Sequence, residues 1–147
     1  CLWAGDSRVY LIRNASISQI SKDHTEVQEL LDRGMISAAE ALTWPRRNVI
    51  THAVGVSDDF VIDFQQGELM PGDIFVLATD GLTAHVTDAE IEAAVVSATP
   101  QAACENLLET VLARGGTDNV TIVLVKIGNG RNGQSLHPDL SRAEDRG

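Results

Sequence analysis

Three aspartates stand where chemistry is possible: Asp6, Asp80 and Asp118, each beside a glycine or an asparagine and each at a predicted strand end. Asp80-Gly81 follows Ile74-Phe75-Val76-Leu77-Ala78, a short apolar run of the kind a buried central strand shows, so a carboxylate sits at a strand exit. Gly81 is expected to take φ > 0 and turn the backbone sharply. Downstream, Gly115-Gly116-Thr117-Asp118-Asn119 leads into a second buried-type strand, Val120 to Val125, with its acid at the entrance. If the two strands are antiparallel neighbours, Asp80 and Asp118 meet at one edge of the sheet, and two carboxylates at one spot call for a cation. An all-carboxylate set favours Mg²⁺ or Mn²⁺ over zinc. Singly, each acid is better explained as a turn-capping aspartate; together they favour a metal centre. There is no G-x-S-x-G, no Walker loop, no Cys/His pair with a local signature and no cluster of ligand histidines, so no side chain stands out as a nucleophile.

The elements that must position these acids follow a layered α/β pattern. Leu2 to Ala4, Val9 to Ile12 and Ser16 to Ile20 read as a small antiparallel meander with turns at Gly5-Asp6-Ser7 and Asn14-Ala15. Thr25 with Gln28 makes a capping box for a helix striped by Val27, Leu30 and Leu31 and closed by Gly34. Ser37 with Glu40 starts a short helix, Ala38 to Leu42, that Pro45 stops. A surface flap holding Trp44, Arg46 and Arg47 is expected next, then an edge strand at Val49-Ile50 and a half-buried strand from Phe60 to Phe64. Thr87 with Glu90 opens a helix, Thr99-Pro100 opens another with proline at its first position, and Gly115-Gly116 ends it. Residues 1–127 read as one domain portion, and 128–147 as a polar tail or linker. The opening Cys1-Leu2-Trp3-Ala4 reads as a strand already under way, as if cut from a longer protein.

Composition narrows the function classes. With 147 residues, 44% hydrophobic and 22% charged, the chain suits a single globular domain with a core. Net charge of -10 has the wrong sign for a nucleic-acid partner and suits a protein that collects cations. No window approaches the roughly 18 apolar residues of a membrane span. The two cysteines, Cys1 and Cys104, form no ligand motif, and a reducing, cytoplasmic location is expected. Cys104 and Trp3 are expected in the core.

Several segments together carry a resemblance. Gly5-Asp6-Ser7-Arg8, Lys22-Asp23-His24, Asn48 to Gly55, Phe75 to Leu82 with its Thr-Asp-Gly, and Gly116 to Thr121 occur in the order seen in the metal-dependent protein phosphatases of the protein phosphatase 2C type. The chain resembles a bacterial member over Cys1 to about Ile127. The resemblance implies an α+β fold, a layered α-β-β-α sandwich of two antiparallel sheets flanked by helices, of which this chain holds part. It also implies a hydrolase of phosphoserine and phosphothreonine, with two Mg²⁺ or Mn²⁺ ions holding the water that attacks phosphorus. Its partners would be phosphorylated proteins, a Ser/Thr kinase or that kinase's targets, with neither nucleic acid nor membrane.

Carried over by position, Asp80 and Asp118 match ligands of the first ion, supported by Gly81 and by an Asn119 side-chain amide that orients Asp118. Asp6 matches an acid that helps hold a third ion in some members; a further acid often found four residues after the Asp-Gly aspartate is Ala84 here, which weakens the case for that ion. Lys22-Asp23-His24 matches the family's Asp-His pair, read here as a structural hydrogen-bonding element. Arg46 and Arg47 match the substrate flap, which Trp44 would anchor. The family's remaining metal acids and its phosphate-gripping arginine lie before the first strand seen here, so the fragment alone is expected to be inactive or nearly so. The alternative is a non-catalytic, phosphatase-like binding or regulatory module.

Overall fold

The computed structural model describes residues 1–47, 49–55 and 62–128. In chain order the elements are β1 (Leu2–Trp3), β2 (Arg8–Arg13), β3 (Ser16–Gln19), α1 (Glu26–Asp32), α2 (Ala38–Leu42), β4 (Asp63–Phe64), β5 (Ile74–Ala78), α3 (Asp80–Thr83), α4 (Asp88–Ser97), α5 (Pro100–Ala113) and β6 (Ile122–Lys126). They form two antiparallel sheets with helices, the expected α+β class: a four-stranded sheet in the order β3-β2-β5-β6 and a two-stranded one, β1-β4.

Alternation along the strands decides which face of the larger sheet is covered. Tyr10 and Ile12 of β2 and Val76 and Ala78 of β5 are buried, and they meet Ile91 and Val95 of α4 and Ala103, Leu107 and Val111 of α5 in one core with Leu82 and Val86. The intervening Leu77, Val123 and Val125 point the other way and stay 40%, 45% and 43% exposed. Period-2 patterning therefore separates a finished face from an apolar one that no described helix covers.

The helix boundaries follow from local chemistry. Ser37 with Glu40 and Thr87 with Glu90 form complete capping boxes, and Thr99 accepts from the Ala102 N–H ahead of a helix whose first residue is Pro100. At α1 only half of the expected box forms: Thr25 Oγ1 accepts from Gln28 N at 3.3 Å, while the Gln28 amide reaches forward to Asp32. Gly34 closes that helix at φ +66°, with Met35 N donating to Leu30 O and Gly34 N to Leu31 O. Glu90 also ion-pairs with Arg114, whose guanidinium donates to His85 O as well, tying the ends of α4 and α5 together.

Other expectations shift. Gly81 does not turn the chain with positive φ; it is the second residue of α3. The last strand is Ile122–Lys126, leaving Val120 and Thr121 before it. Val49-Ile50 makes no strand beyond a single bridge from Ile50 to Thr25. Of the Phe60–Phe64 strand, Asp63–Phe64 is seen, and Phe60 and Val61 lie outside the described residues, as do Asn48 and the tail 129–147. Trp3 is half-buried rather than core: among the described residues its strand pairs only with β4, and its indole N–H turns to donate to Lys22 O at 2.8 Å. Cys104 is likewise only partly buried on α5.

Candidate active-site cleft

Antiparallel pairing of β5 with β6, with Ala78 opposite Ile122, brings the Asp80 turn and the Asp118 segment to the same sheet edge. Thr79 fastens them. Its N–H donates to Thr121 O at 3.2 Å, its hydroxyl donates to Asn119 O at 3.3 Å and accepts from Thr121 N at 3.0 Å. Gly81 is buried directly beneath Asn119, and a β-carbon there would collide with the Asn119 carbonyl. Close approach, not backbone handedness, is what requires glycine at this position. Asp118 is exposed, and its Oδ1 accepts from the Asn119 backbone N–H at 2.7 Å; the orienting contact comes from the main chain, not from the side-chain amide.

Asp6 arrives at the same place from the β1–β2 connection. Gly5, at φ +98°, donates to His24 Nδ1 at 3.2 Å and accepts from His24 N at 2.9 Å, while His24 Nε2 lies 3.1 Å from Asp63 Oδ2. With Nδ1 accepting, the ring proton is on Nε2 and donates to Asp63. His24 thus rivets the Asp6 turn to the start of α1 and to β4. Arg8 grips Asp23, with Nε and Nη2 donating to the carboxylate and Nη2 at 2.7 Å from Oδ2; its other branch donates to Tyr10 Oη. Burial pushes the Tyr10 phenol up to about 12, so it stays protonated at neutral pH.

Asp6 and Asp80 line a single cleft of about 380 Å³ with Arg8, Asp23, Thr83 and Ala84. Burial first, and then the neighbouring Asp80 charge, raise the Asp6 carboxyl above its ordinary value. No Lys, Arg or His ion-pairs with Asp6, Asp80 or Asp118 among the described residues. Two converging carboxylates that form no ion pair among the described residues, with oxygen as their donor atoms, suit a hard divalent cation. Their number falls short of a full coordination sphere: among the described residues no group of three or more His, Cys, Asp or Glu could hold an ion. Asp118 is not among the residues that line this cleft.

The rest of the lining comes from α1 and α2: Val27, Gln28, Leu31, Ala38, Ala41 and Leu42, with Thr25 and Arg47. This apolar wall was not foreseen from the sequence, although the stripe of α1 was its signal. The two flap arginines part company. Arg46 reaches Glu26 at 3.0 Å, and Arg47 donates to Leu42 O at 3.1 Å while lining the cleft. Trp44 is half-buried, with an indole N–H enclosed and unpartnered among the described residues.

Comparison with known proteins gives this geometry a context. Residues 19–128 match the family model of stage II sporulation protein E (SpoIIE). The chain is 39% identical over 124 residues to protein phosphatase PhpP of Streptococcus pneumoniae, covering 84% of this chain and 50% of that protein. It superposes on the serine/threonine phosphatase PstP/Ppp of Mycobacterium tuberculosis with a TM-score of 0.78 at 36% identity, over 86% of this chain and 54% of the other. A PstP catalytic domain in complex with two manganese ions gives 0.73 at 34% identity, over 87% and 53%. The chain spans about half the length of the curated phosphatases PhpP and Stp that it matches. No helix of the described residues is long and apolar enough to cross a membrane. The chain belongs to the stage II sporulation protein E (SpoIIE) family, and with it to the bacterial protein phosphatase 2C-like domains.

Proposed function

We propose that residues 1–127 are the C-terminal portion of the catalytic domain of a cytoplasmic protein serine/threonine phosphatase, which removes phosphate from phosphoserine and phosphothreonine in proteins such as a kinase or its targets. The observation that carries the reading is the meeting of Asp6 and Asp80 in one cleft, neither of them in an ion pair among the described residues, with Asp118 brought to the same sheet edge. Names of relatives point the same way. The uncovered apolar sheet face supports a larger sandwich of which this chain is one part.

Asp80, with Asp118 and with Asp6 beside it, would hold Mg²⁺ or Mn²⁺. When bound, such ions acidify water and neutralise phosphoryl oxygens. The chain's own residues set the stage. Thr79 and Gly81 fix the distance between the Asp80 and Asp118 backbones, and His24 fixes the Asp6 turn. Arg8 commits its guanidinium to Asp23 and Tyr10, so it forms no ion pair with Asp6 or Asp80. A protein that carries this chain and the remaining length of its relatives should hydrolyse an aryl phosphate and a phosphothreonine peptide with Mn²⁺. Full turnover in its Asp80→Asn variant would refute the assignment.

A second reading is a phosphatase-like module that binds without hydrolysing. Ala84 in the cleft lining and the short count of carboxylates favour it. Calorimetry separates the two, because Mn²⁺ binding by the full protein without hydrolysis belongs to the module.

A further inference from the structure

The helices α1 and α2 present a puzzle of cover. An amphipathic helix normally buries its apolar stripe, yet neither helix contains a fully buried residue, and Leu42 remains 74% exposed. They are nonetheless held firmly: α1 by the Thr25 cap, α2 by a complete capping box, and the loop after them by the Arg46–Glu26 pair and the Arg47 bond to Leu42 O. The missing cover is therefore not a sign of a loose end. Val27, Leu31 and Leu42 line the same continuous cleft as Asp6 and Asp80.

We propose that Val27, Leu31 and Leu42 form a subsite for an apolar side chain adjacent to the phosphorylated residue of a protein substrate. This rests on the phosphatase reading and adds to it the class of sequence preferred. Size permits it, since about 380 Å³ is within the range of sites that enclose a small organic ligand and exceeds what a phosphoryl group alone needs. Electrostatics permit it too. Of the two arginines that line the cleft, Arg8 is matched by Asp23 and Arg47 donates to the Leu42 carbonyl. Selection would then come from desolvation: an apolar flanking side chain gains by leaving water, whereas a polar one set against Val27, Leu31 and Leu42 loses hydration that these residues cannot replace with hydrogen bonds. Pockets of this kind discriminate by roughly tenfold or more.

The test uses the full-length protein with Mn²⁺ and phosphothreonine peptides that differ only at one flanking position, Leu against Gln, scanned on both sides of the phosphorylated residue. At one position the kcat/KM ratio of Leu to Gln should be about tenfold. That ratio should fall to near one in Leu42→Ser and in Leu31→Ser, and should keep its wild-type value in Val96→Ser, which removes an exposed apolar residue that does not line the cleft. A ratio near one at every position in the wild type, or an unchanged ratio in both cleft variants, overturns the subsite. Hydrolysis of p-nitrophenyl phosphate separates the failures: if it is robust while the ratio is flat, only the subsite is lost, and if it is absent, the phosphatase reading falls and the subsite falls with it.

Discussion

Strand β5 has an aspartate at each end, and the two are treated in opposite ways. Asp73, just before the strand, is 1% exposed and grips Arg13 through both oxygens at 2.8 and 2.7 Å, with the Met70 N–H donating as well. The Arg13 hydrogen bond brings its carboxyl down to about 2. Asp80, just after the strand, has no ion pair among the described residues, and its charge helps raise the Asp6 carboxyl. At one end the fold supplies the counter-charge. At the other it gathers negative charge and leaves the counter-charge to come from outside, which is an arrangement that costs stability and makes sense as a site.

The sharpest way to break this contrast is to remove the acid at each end in the full-length protein. Asp80→Asn should lower kcat/KM with Mn²⁺ at least a hundredfold, about 2.7 kcal/mol, while leaving the melting temperature unchanged or higher. Asp73→Asn should do the reverse: turnover per folded molecule stays, and the melting temperature drops, because Arg13 loses its partner at a buried position. If Asp80→Asn destabilises as much as Asp73→Asn, the open end is structural after all.

Gly81→Ala probes how closely the open end is built. Its methyl would strike the Asn119 carbonyl, so a loss of about 1–3 kcal/mol in stability is expected, together with displacement of Asp118 and weaker Mn²⁺ binding by calorimetry. Gly67→Ala meets nothing within 4 Å and serves as the neutral control.

This position also shows what the sequence could and could not convey. The capping boxes at Ser37 and Thr87 and the proline at the start of α5 were legible because each rests on residues three or four apart, whereas the antiparallel β5–β6 pair was legible only as a condition, because local patterning does not fix which distant strands meet. Gly81 follows a strand as a turn glycine would, but the cause of glycine there is close approach to Asn119, a residue distant in sequence. Arg13–Asp73 was invisible for the same reason: nothing local pairs two groups that far apart. The apolar wall of the cleft is not legible in the sequence, because a stripe that lines a cleft and a stripe that packs on a core have the same periodicity.

Acid titration should separate the two ends by sign. An aspartate whose folded pKa lies below its unfolded value of about 3.8 adds stability above that value and loses it as pH falls toward the folded one, so Asp73 ceases to contribute between about 3.8 and about 2. An aspartate whose folded pKa is raised opposes folding at neutral pH, and the penalty fades as pH falls through that raised value, so Asp6 acts in the other direction and at higher pH. Melting temperature against pH should therefore show Asp6→Asn more stable than wild type at pH 7, with the gap closing on mild acidification. Saturating Mn²⁺ should narrow the same gap at pH 7 by stabilising the wild type. A constant gap from pH 7 to 4 would mean that the Asp6 charge is not what the variant relieves.

The smallest expected effect lies at the finished end. The β2–β3 turn places Asn14 and Ala15 at φ +53° and +55°, beside the Arg13–Asp73 pair in a second cavity that Gly72 and Val96 also line. A two-residue hairpin loop matches the strand twist only with both residues left-handed, which asparagine tolerates and alanine resists. Glycine removes the alanine strain but widens the unfolded ensemble, so Ala15→Gly should stabilise by about 0.5–1 kcal/mol, read as a higher denaturant midpoint at unchanged slope. Because strain here has no neighbouring uncompensated charge to serve, relieving it should leave phosphatase turnover of the full protein untouched. A loss of turnover in Ala15→Gly would join the two ends of β5 mechanically and remove the division of labour between them.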